Sequence, residues 1–268
     1  MTSSKNLKIK ALLLAAGIGS RLKPLTDNWP KCLMPIQGYP LLGYWLEILE
    51  NQNVDRILVN LYHHHSLVED FISQDNWSIN INKSLERELL GTAGTLRANY
   101  DYFKNSTILL VHADNWSHCD FGAFIRYHLF QKPECCCMTM MTFITPNPKS
   151  SGIVETNAQG IVQEFHEKSN KPNGNIANAA VYLIDPEILE WMNQRDHIND
   201  FSTEVIPAFK GRIATWHNSL IHRDIGSFDE LRKAQNDDIS SFAFKKKARP
   251  NWYKNFSSNP IHTMVSNL

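Results

Sequence analysis

The stretch "GIGSRLKPLTDNWPK" carries two glycines, Gly17 and Gly19, then Arg21 and, ten residues later, Lys31. Glycine lets a backbone turn tightly and come close to a phosphate group. Arginine offers phosphate oxygens a planar fork of donors, and lysine offers a point charge, so the pair suits a polyanion. Pro24 and Pro30 stiffen the path between the two cations. The pattern lacks the third glycine of the dinucleotide fingerprint and the Gly-Lys-Ser/Thr ending of a P-loop. On these residues alone, a plain glycine turn bearing two solvated cations is an equally good reading.

Other residues of chemical interest are scattered. Asp114 ends the run "LLVHAD" and Asp224 lies in "HRDIGS", 110 positions later. Two converging carboxylates plus phosphate oxygens and water suit Mg²⁺, although an isolated aspartate is more often a turn residue. Glu167-Lys168 follows a strand-like segment and reads equally as a solvated pair. The tract "YHHHS" (Tyr62–Ser66) cannot aim three consecutive histidines at one ion, because side chains alternate along an extended chain. It reads as a strand-end loop, not as a set of metal ligands. No Ser–His or Cys–His pairing suggests a covalent nucleophile.

The elements that must position these groups alternate. Near-continuous apolar runs predict strands at Ile9–Ala15, Arg56–Tyr62 and Thr107–Ala113. Helical spacing predicts helices over Leu41–Gln52, Ser66–Ser73 and Gly94–Tyr102, with a short strand at Ile79–Asn82. Apolar strands separated by helices imply a mainly parallel sheet covered on both faces. Ligands of such sheets sit beyond the C-terminal strand ends, where Leu12–Leu14 delivers the glycine loop. Strand patterns then crowd together at Met138–Phe143, Gly152–Glu155, Ile161–Glu167 and Ala177–Leu183, a β-rich region that could house a second substrate on the same sheet. A helix follows over Pro186–Met192, with proline in its first turn. Ser227 and Glu230 stand at capping-box spacing, so another helix should begin after Ser227.

Bulk properties narrow the partners. The chain has 268 residues, and 27 Lys+Arg balance 27 Asp+Glu. Zero net charge argues against nucleic acid or an anionic membrane as partner. The five cysteines show no zinc spacing, and Cys135-Cys136-Cys137 read as buried strand residues. This fits a reducing cytoplasm. The N-terminal lysines and apolar run have the outline of a signal peptide, but a first core strand is the better reading. Past Ile239 the pattern decays into a basic, aromatic stretch, read as a docked tail or a subunit contact, which leaves a homodimer open.

Beyond these readings, "LLLAAGIGSRLKPLTDNWPKCLMPI" (Leu12–Ile36) closely resembles the signature of the sugar-1-phosphate nucleotidylyltransferases. So do, in the family's order, "ERELLGTAGTL" (Glu86–Leu96), "LLVHADNW" (Leu109–Trp116), "SGIVETNAQGIVQEFHEKSN" (Ser151–Asn170), "NIANAAVYLIDPEIL" (Asn175–Leu189) and "HRDIGSFDELRKAQ" (His222–Gln235). Two departures are modest. His112-Ala113-Asp114 stands where Asn-Gly-Asp is common, and Ala180 replaces a frequent glycine, which tightens the sugar pocket. No left-handed β-helix of the kind some members carry is expected.

The resemblance implies an α/β fold: a Rossmann-like, mixed and mainly parallel sheet flanked by helices (GT-A-like), with a β-rich sugar-binding insertion. Residues 1–240 would form the catalytic domain and 241–268 the tail. The implied reaction joins a nucleoside triphosphate (NTP) and a sugar 1-phosphate into a nucleotide-sugar and pyrophosphate. Leu14, Ala15, Ala16, Gly17, Gly19, Glu86, Gly91, Thr92 and Asp114 would hold the nucleotide. Gly152, Glu167, Lys168 and Asn178 would hold the sugar phosphate, with Asp114 and Asp224 binding Mg²⁺. Arg21 would grip the leaving β- and γ-phosphates, Lys31 would neutralise charge nearby, and Lys168 would steer the attacking phosphate. Glu86 offers acceptors only, and guanine presents two donors on its Watson–Crick edge, which favours GTP. The resemblance to mannose- and heptose-1-phosphate guanylyltransferases, which carry Glu at this place, implies a mannose- or heptose-type sugar. Use of UTP, dTTP or CTP, a phosphocholine substrate, and a non-catalytic nucleotide-sugar sensor stay open.

Overall fold

The computed structural model describes residues 8–52, 54–73, 77–240 and 250–268. Along the chain, β1 (Ile9–Leu14) leads through short helical turns to the small β2 (Pro35–Ile36) and β3 (Tyr39–Pro40) pair. Then come α1 (Leu41–Glu50), β4 (Val54–Leu61), α2 (His65–Ser73), β5 (Asn80–Leu85), α3 (Thr92–Ala98) and α4 (Tyr100–Phe103). Next are β6 (Thr107–His112), β7 (Asn115–His118) and α5 (Phe121–Phe130). The β-rich part supplies β8 (Met138–Ile144), β9 (Gly152–Thr156), β10 (Val162–Glu167) and β11 (Ile176–Ile184). The rest is α6 (Pro186–Asn193), a π turn at Phe201–Val205 running into α7 (Ile206–Ala208), β12 (Ile213–His217), β13 (Ile221–Asp224), α8 (Phe228–Ala234), α9 (Pro250–Ser257) and α10 (Ile261–Ser266).

Among the described residues, nine strands form one mixed sheet, ordered β10-β9-β11-β6-β1-β4-β5, with β8 on β11 and β12 on β8. The part that carries the glycine loop is parallel: β6, β1, β4 and β5 run together. The β-rich segment joins the same sheet antiparallel, through β11 against β6. This is the α/β architecture that the apolar strand pattern predicts. Leu12, Leu13, Leu109 and Leu110 lose all solvent contact because both faces are covered. One core layer gathers α1, α2 and α5 residues such as Trp45, Phe71 and Phe124. The other gathers α3, α6 and the π turn through Leu96, Ile188 and Phe201.

Several local expectations change. The helix expected over Gly94–Tyr102 begins at Thr92 and is interrupted at Asn99, whose φ of −108° and ψ of 28° leave helical geometry. The cysteine run precedes β8 rather than lying in a strand, and Cys135 is exposed while Cys136 and Cys137 are buried. The α5 helix was not anticipated, although Asp120 caps it by accepting from Ala123 N and Phe121, Phe124, Ile125 and His128 lie buried at helical spacing. Ser227 does cap α8, accepting from the Glu230 amide. The tail's basic run Lys245–Lys247 lies outside the described residues; 250–268 form α9 and α10. No helix among the described residues is long and apolar enough to cross a membrane.

Candidate active site

Strand register sets the site. Leu14 lies opposite both Asn60 and His112, so β1, β4 and β6 end level with one another. The segments that follow β1 and β6 therefore leave the sheet side by side at its C-terminal edge. One carries Ala15, Ala16 and Gly17, and the other carries Asp114. A separate two-stranded ribbon delivers the second aspartate: β13 pairs antiparallel with β7, and Asp224 stands opposite Asn115. The Ile225 amide donates to the Asp114 carbonyl at 3.3 Å. That short ribbon closes the gap of 110 residues between Asp114 and Asp224.

Two cavities meet at this point. One, of about 200 Å³, is lined by Leu14, Ala15, Ala16, Gly17, Glu86, Gly91, Thr92 and Asp114, among others. A larger one, of about 580 Å³, is lined by Arg21, Gly152, Glu167, Lys168, Asn178 and Asp224, among others. His112 and Asp114 border both cavities. The expected nucleotide residues and the expected sugar-phosphate residues thus sort into two adjoining spaces, with Asp114 between them.

The exception is Gly19, which lines neither cavity. Its φ is +68°, and an added Cβ would come within 2.9 Å of Thr26 Cγ2 and 3.2 Å of Lys31 Cβ. It is the turn that folds the loop back on itself, so that the Thr26 hydroxyl donates to the Gly19 carbonyl at 2.9 Å. Gly17 differs: nothing lies within 4 Å of where its Cβ would be.

Lys31 is not a solvated cation. It is 5% exposed, and Nζ lies 2.6 Å from Asp114 Oδ2 and 3.0 Å from Asp224 Oδ1. Burial alone would depress its ammonium, but the two carboxylates outweigh burial and hold it above the ordinary lysine value. Burial likewise opposes ionisation of Asp224, yet Lys31 and then Arg21 keep that carboxyl below its usual range. Arg21 is more open and lies 3.3 Å from Asp224 Oδ2. A methyl group on Gly226 would sit 2.4 Å from Arg21 Nη2, so only glycine leaves room for this approach. Burial also keeps His112 and His222, which flank the aspartates, below the ordinary histidine value, His222 at about 4.

The two aspartates suit a hard divalent cation, because their oxygens converge on one positive point and both border the larger cavity. Among the described residues no cluster of three His, Cys, Asp or Glu adds a third side-chain ligand. Substrate oxygens and water would complete such a shell.

The smaller cavity rests on a buried polar chain that the sequence reading missed. Asn60 Oδ1 accepts from the Ala15 amide at 2.7 Å, while Asn60 Nδ2 donates to Glu86 Oε1 at 2.9 Å. The Thr95 hydroxyl donates to the same oxygen at 2.6 Å, and Glu86 Oε2 accepts from the Leu90 amide at 3.3 Å. The signal available was Asn60 itself, a polar residue inside the apolar run "RILVNLY". Thr92 Oγ1 is engaged by the Phe201 amide at 2.7 Å, and the Asn199 carbonyl takes the Ala93 and Gly94 amides at the start of α3. His63 and His64 both point Nε2 at the Thr26 carbonyl, at 3.3 and 3.2 Å, bracing the glycine loop.

In the larger cavity, Glu167 ends β10 opposite Gly152, at the open end of the β9–β10 hairpin, and Lys168 follows it with Nζ 3.5 Å from Glu167 Oε1. A side chain on Gly152 would strike the Phe165 ring at 2.6 Å. Lys168 and Ala180 both hold positive φ, +47° and +51°. Such conformations are costly for residues with a Cβ and cluster at ligand sites. Ala180 sits in an irregularity of β11, its amide donating to Asn178 Oδ1 at 2.9 Å while Asn178 Nδ2 donates to the Tyr182 hydroxyl at 2.6 Å.

A family model described as "Nucleotidyl transferase" matches residues 10–241. A Sulfolobus acidocaldarius protein provisionally named a mannose-1-phosphate guanyltransferase is 30% identical over 199 residues, 74% of this chain and 54% of its own length. The D-glycero-alpha-D-manno-heptose 1-phosphate guanylyltransferase of Aneurinibacillus thermoaerophilus is 25% identical over 85% of this chain and 98% of its own. The chain therefore spans about half the length of the first relative and nearly all of the second. In fold it is similar to a crystal structure from Bacillus anthracis, provisionally named a glucose-1-phosphate thymidylyltransferase and complexed with sucrose. The TM-score is 0.75 at 20% identity, covering 85% of this chain and 94% of the other.

Proposed function

The chain belongs to the nucleotidyl transferase family, and from that premise we propose that it condenses an NTP with a sugar 1-phosphate, releasing pyrophosphate. The observation that carries this reading is the junction of the two cavities at Asp114, with Lys31, Asp224 and Arg21 gathered there. A phosphate oxygen of the sugar phosphate attacks the α-phosphorus. The bond from that phosphorus to the bridging oxygen breaks, and pyrophosphate leaves with the electron pair. Nucleophile and leaving group are already phosphate oxygens, so catalysis is positioning and charge neutralisation.

The triphosphate lies along Ala15–Gly17, with Arg21 over its leaving end. Lys168, on the far side of Asp114, guides the sugar phosphate toward the α-phosphorus, while Glu167 and Asn178 accept and orient the sugar. Asp114 and Asp224 would hold Mg²⁺, which when bound supplies positive charge to the phosphate oxygens. Lys31 keeps the two carboxylates together.

GTP and a mannose- or heptose-type sugar are the favoured pair. Glu86 borders the smaller cavity as an acceptor, and the two relatives carry guanyl-transfer names with mannose and manno-heptose phosphates. Pyrophosphate release against a panel of NTPs and sugar 1-phosphates tests the proposal. Release with GTP and mannose or manno-heptose 1-phosphate is the expected result. Release only with another pair, phosphocholine included, would overturn the specificity. No release at all, alongside tight nucleotide-sugar binding, would identify a sensor instead.

A further inference from the structure

The loop that carries Arg21 and Lys31 has an outer side, away from the cavities, and α9 and α10 cover it. Trp29, two residues before Lys31, is 8% exposed. Its ring stacks on Phe256 of α9, with centroids 5.8 Å apart and planes 20° from parallel. Phe256 is 2% exposed and stacks in turn on Trp252 at 4.7 Å, which meets Phe71 of α2 at 4.6 Å. The α10 helix lies against the Leu25–Asp27 turn of the same loop, with Ile261 and Val265 buried there. The Tyr253 hydroxyl donates to the Gly38 carbonyl at 2.7 Å, just past the loop's end. Inside the loop, Trp29 Nε1 donates to the Leu33 carbonyl at 2.9 Å, so the indole stacked on Phe256 also closes the turn that presents Lys31.

The loop is otherwise held mainly at its ends: Leu22, Leu33 and Met34 are fully buried, α1 packs on the Lys31–Leu33 turn, and Lys31 meets Asp114 and Asp224. Residues 15–34 contain only short 3₁₀ turns of three residues each, which on their own are marginal. The inner side must stay free for a ligand, and His63 and His64 reach it only at Thr26. Stacked, buried aromatic pairs supply both apolar burial and a fixed geometry. We infer that α9 and α10 are a built-in brace of the phosphate loop, and that Phe256 and Trp29 are positioning residues for nucleotide binding. This rests on the reading of the loop as the triphosphate site.

The full-length Phe256→Ala protein tests the inference by hydrogen exchange without ligand and by steady-state kinetics with GTP and a sugar 1-phosphate. Exchange of the amides within 17–34 should accelerate about tenfold, while β1, β4 and β6 keep their protection. KM for GTP should rise about fivefold, and KM for the sugar phosphate should stay within about twofold. Phe256→Leu, which keeps most of the volume and loses the ring, should fall between the two, and it carries the comparison if Phe256→Ala does not fold. Faster exchange confined to 250–268 would overturn the brace. Faster loop exchange with an unchanged KM for GTP would leave the brace standing and overturn the triphosphate reading. Equal loss of protection across the whole sheet would show ordinary core packing and overturn the inference as well.

Discussion

Lys31 and Asp114, 83 residues apart in sequence, meet with Nζ 2.6 Å from Oδ2, and Asp224 shares the same ammonium at 3.0 Å. One buried cation thus holds two carboxylates at the junction of the cavities. Its charge is secured from both sides. Lys31 is raised, so its contribution is complete below the ordinary lysine value and is lost only as pH climbs through its folded value. Asp224 is lowered, so its contribution is present above the ordinary aspartate value and disappears only as pH falls through its folded value. The bridge stays intact throughout the neutral range. In Lys31→Met the aspartates repel each other. They retain side-chain exposures of 31% and 53%, so the stability loss should be about 2 kcal/mol, short of a fully buried pair. Turnover should drop about a thousandfold. Calorimetric titration with Mn²⁺ in the absence of nucleotide should show tighter binding than in the parent, because the competing ammonium is gone. An unchanged metal affinity would separate Lys31 from the metal site.

Glu86 receives two donors, from Asn60 and Thr95, on a single oxygen, Oε1. In Glu86→Gln those donors orient the amide carbonyl toward themselves and place the NH₂ group where Oε2 was. An acceptor becomes a donor, and the Leu90 amide now faces another N–H. The ratio of kcat/KM for GTP over UTP should fall about tenfold or more. If the ratio does not move, Glu86 takes no part in reading the base.

Lys168 projects from a hairpin end with side-chain exposure of 69% and φ of +47°. Lys168→Ala should reduce kcat/KM for the sugar phosphate about a hundredfold. The affinity for GTP, followed by equilibrium titration, should hold. A comparable loss of GTP affinity would place Lys168 on the nucleotide instead.

Gly91 combines φ of +78° with a neighbour that cannot yield. An added Cβ would lie 2.4 Å from the Asn199 carbonyl oxygen, which is itself held by the Ala93 and Gly94 amides. Gly91→Ala should cost about 3 kcal/mol in chemical denaturation, through strain and loss of this cap. A loss below about 1 kcal/mol would mean that the 199–201 segment moves freely.

His118 and His128 are both buried, and burial pushes both imidazoles down, His118 to about 4. Below the ordinary histidine value the unfolded chain takes up protons that the folded chain refuses. Stability is therefore full above about pH 6.5 and declines as pH falls toward 4, by about 3 kcal/mol for His118 alone. Urea denaturation across this range should show the decline, and His118→Phe should reduce it, leaving the share of the other buried imidazoles, His222 among them. An unchanged slope in that variant would assign the decline to other groups.

The apolar runs of β1, β4 and β6 were legible because fully covered parallel strands need uninterrupted hydrophobic residues, and the glycine loop's place beyond β1 followed from that. Asn60 was missed because one amide in such a run looks like a blemish until Glu86 and the Ala15 amide are beside it. The aromatic tail was ambiguous for a similar reason: Trp252 and Phe256 could equally have faced solvent or a partner until Trp29 was found beneath them.

By itself, the sequence determined the strand and helix order over most of the chain, the loop's residue chemistry and the set of cations and carboxylates worth watching. Those properties are local, set by side-chain periodicity and turn chemistry within a few residues. Only the tertiary structure decided that Lys31 is a buried link between two aspartates, that Gly19 turns the loop rather than lining a cavity, and that α9 supports the loop from behind. These depend on the β7–β13 ribbon and on packing between segments far apart in sequence. Such contacts form only when the whole core closes, and no local pattern encodes them.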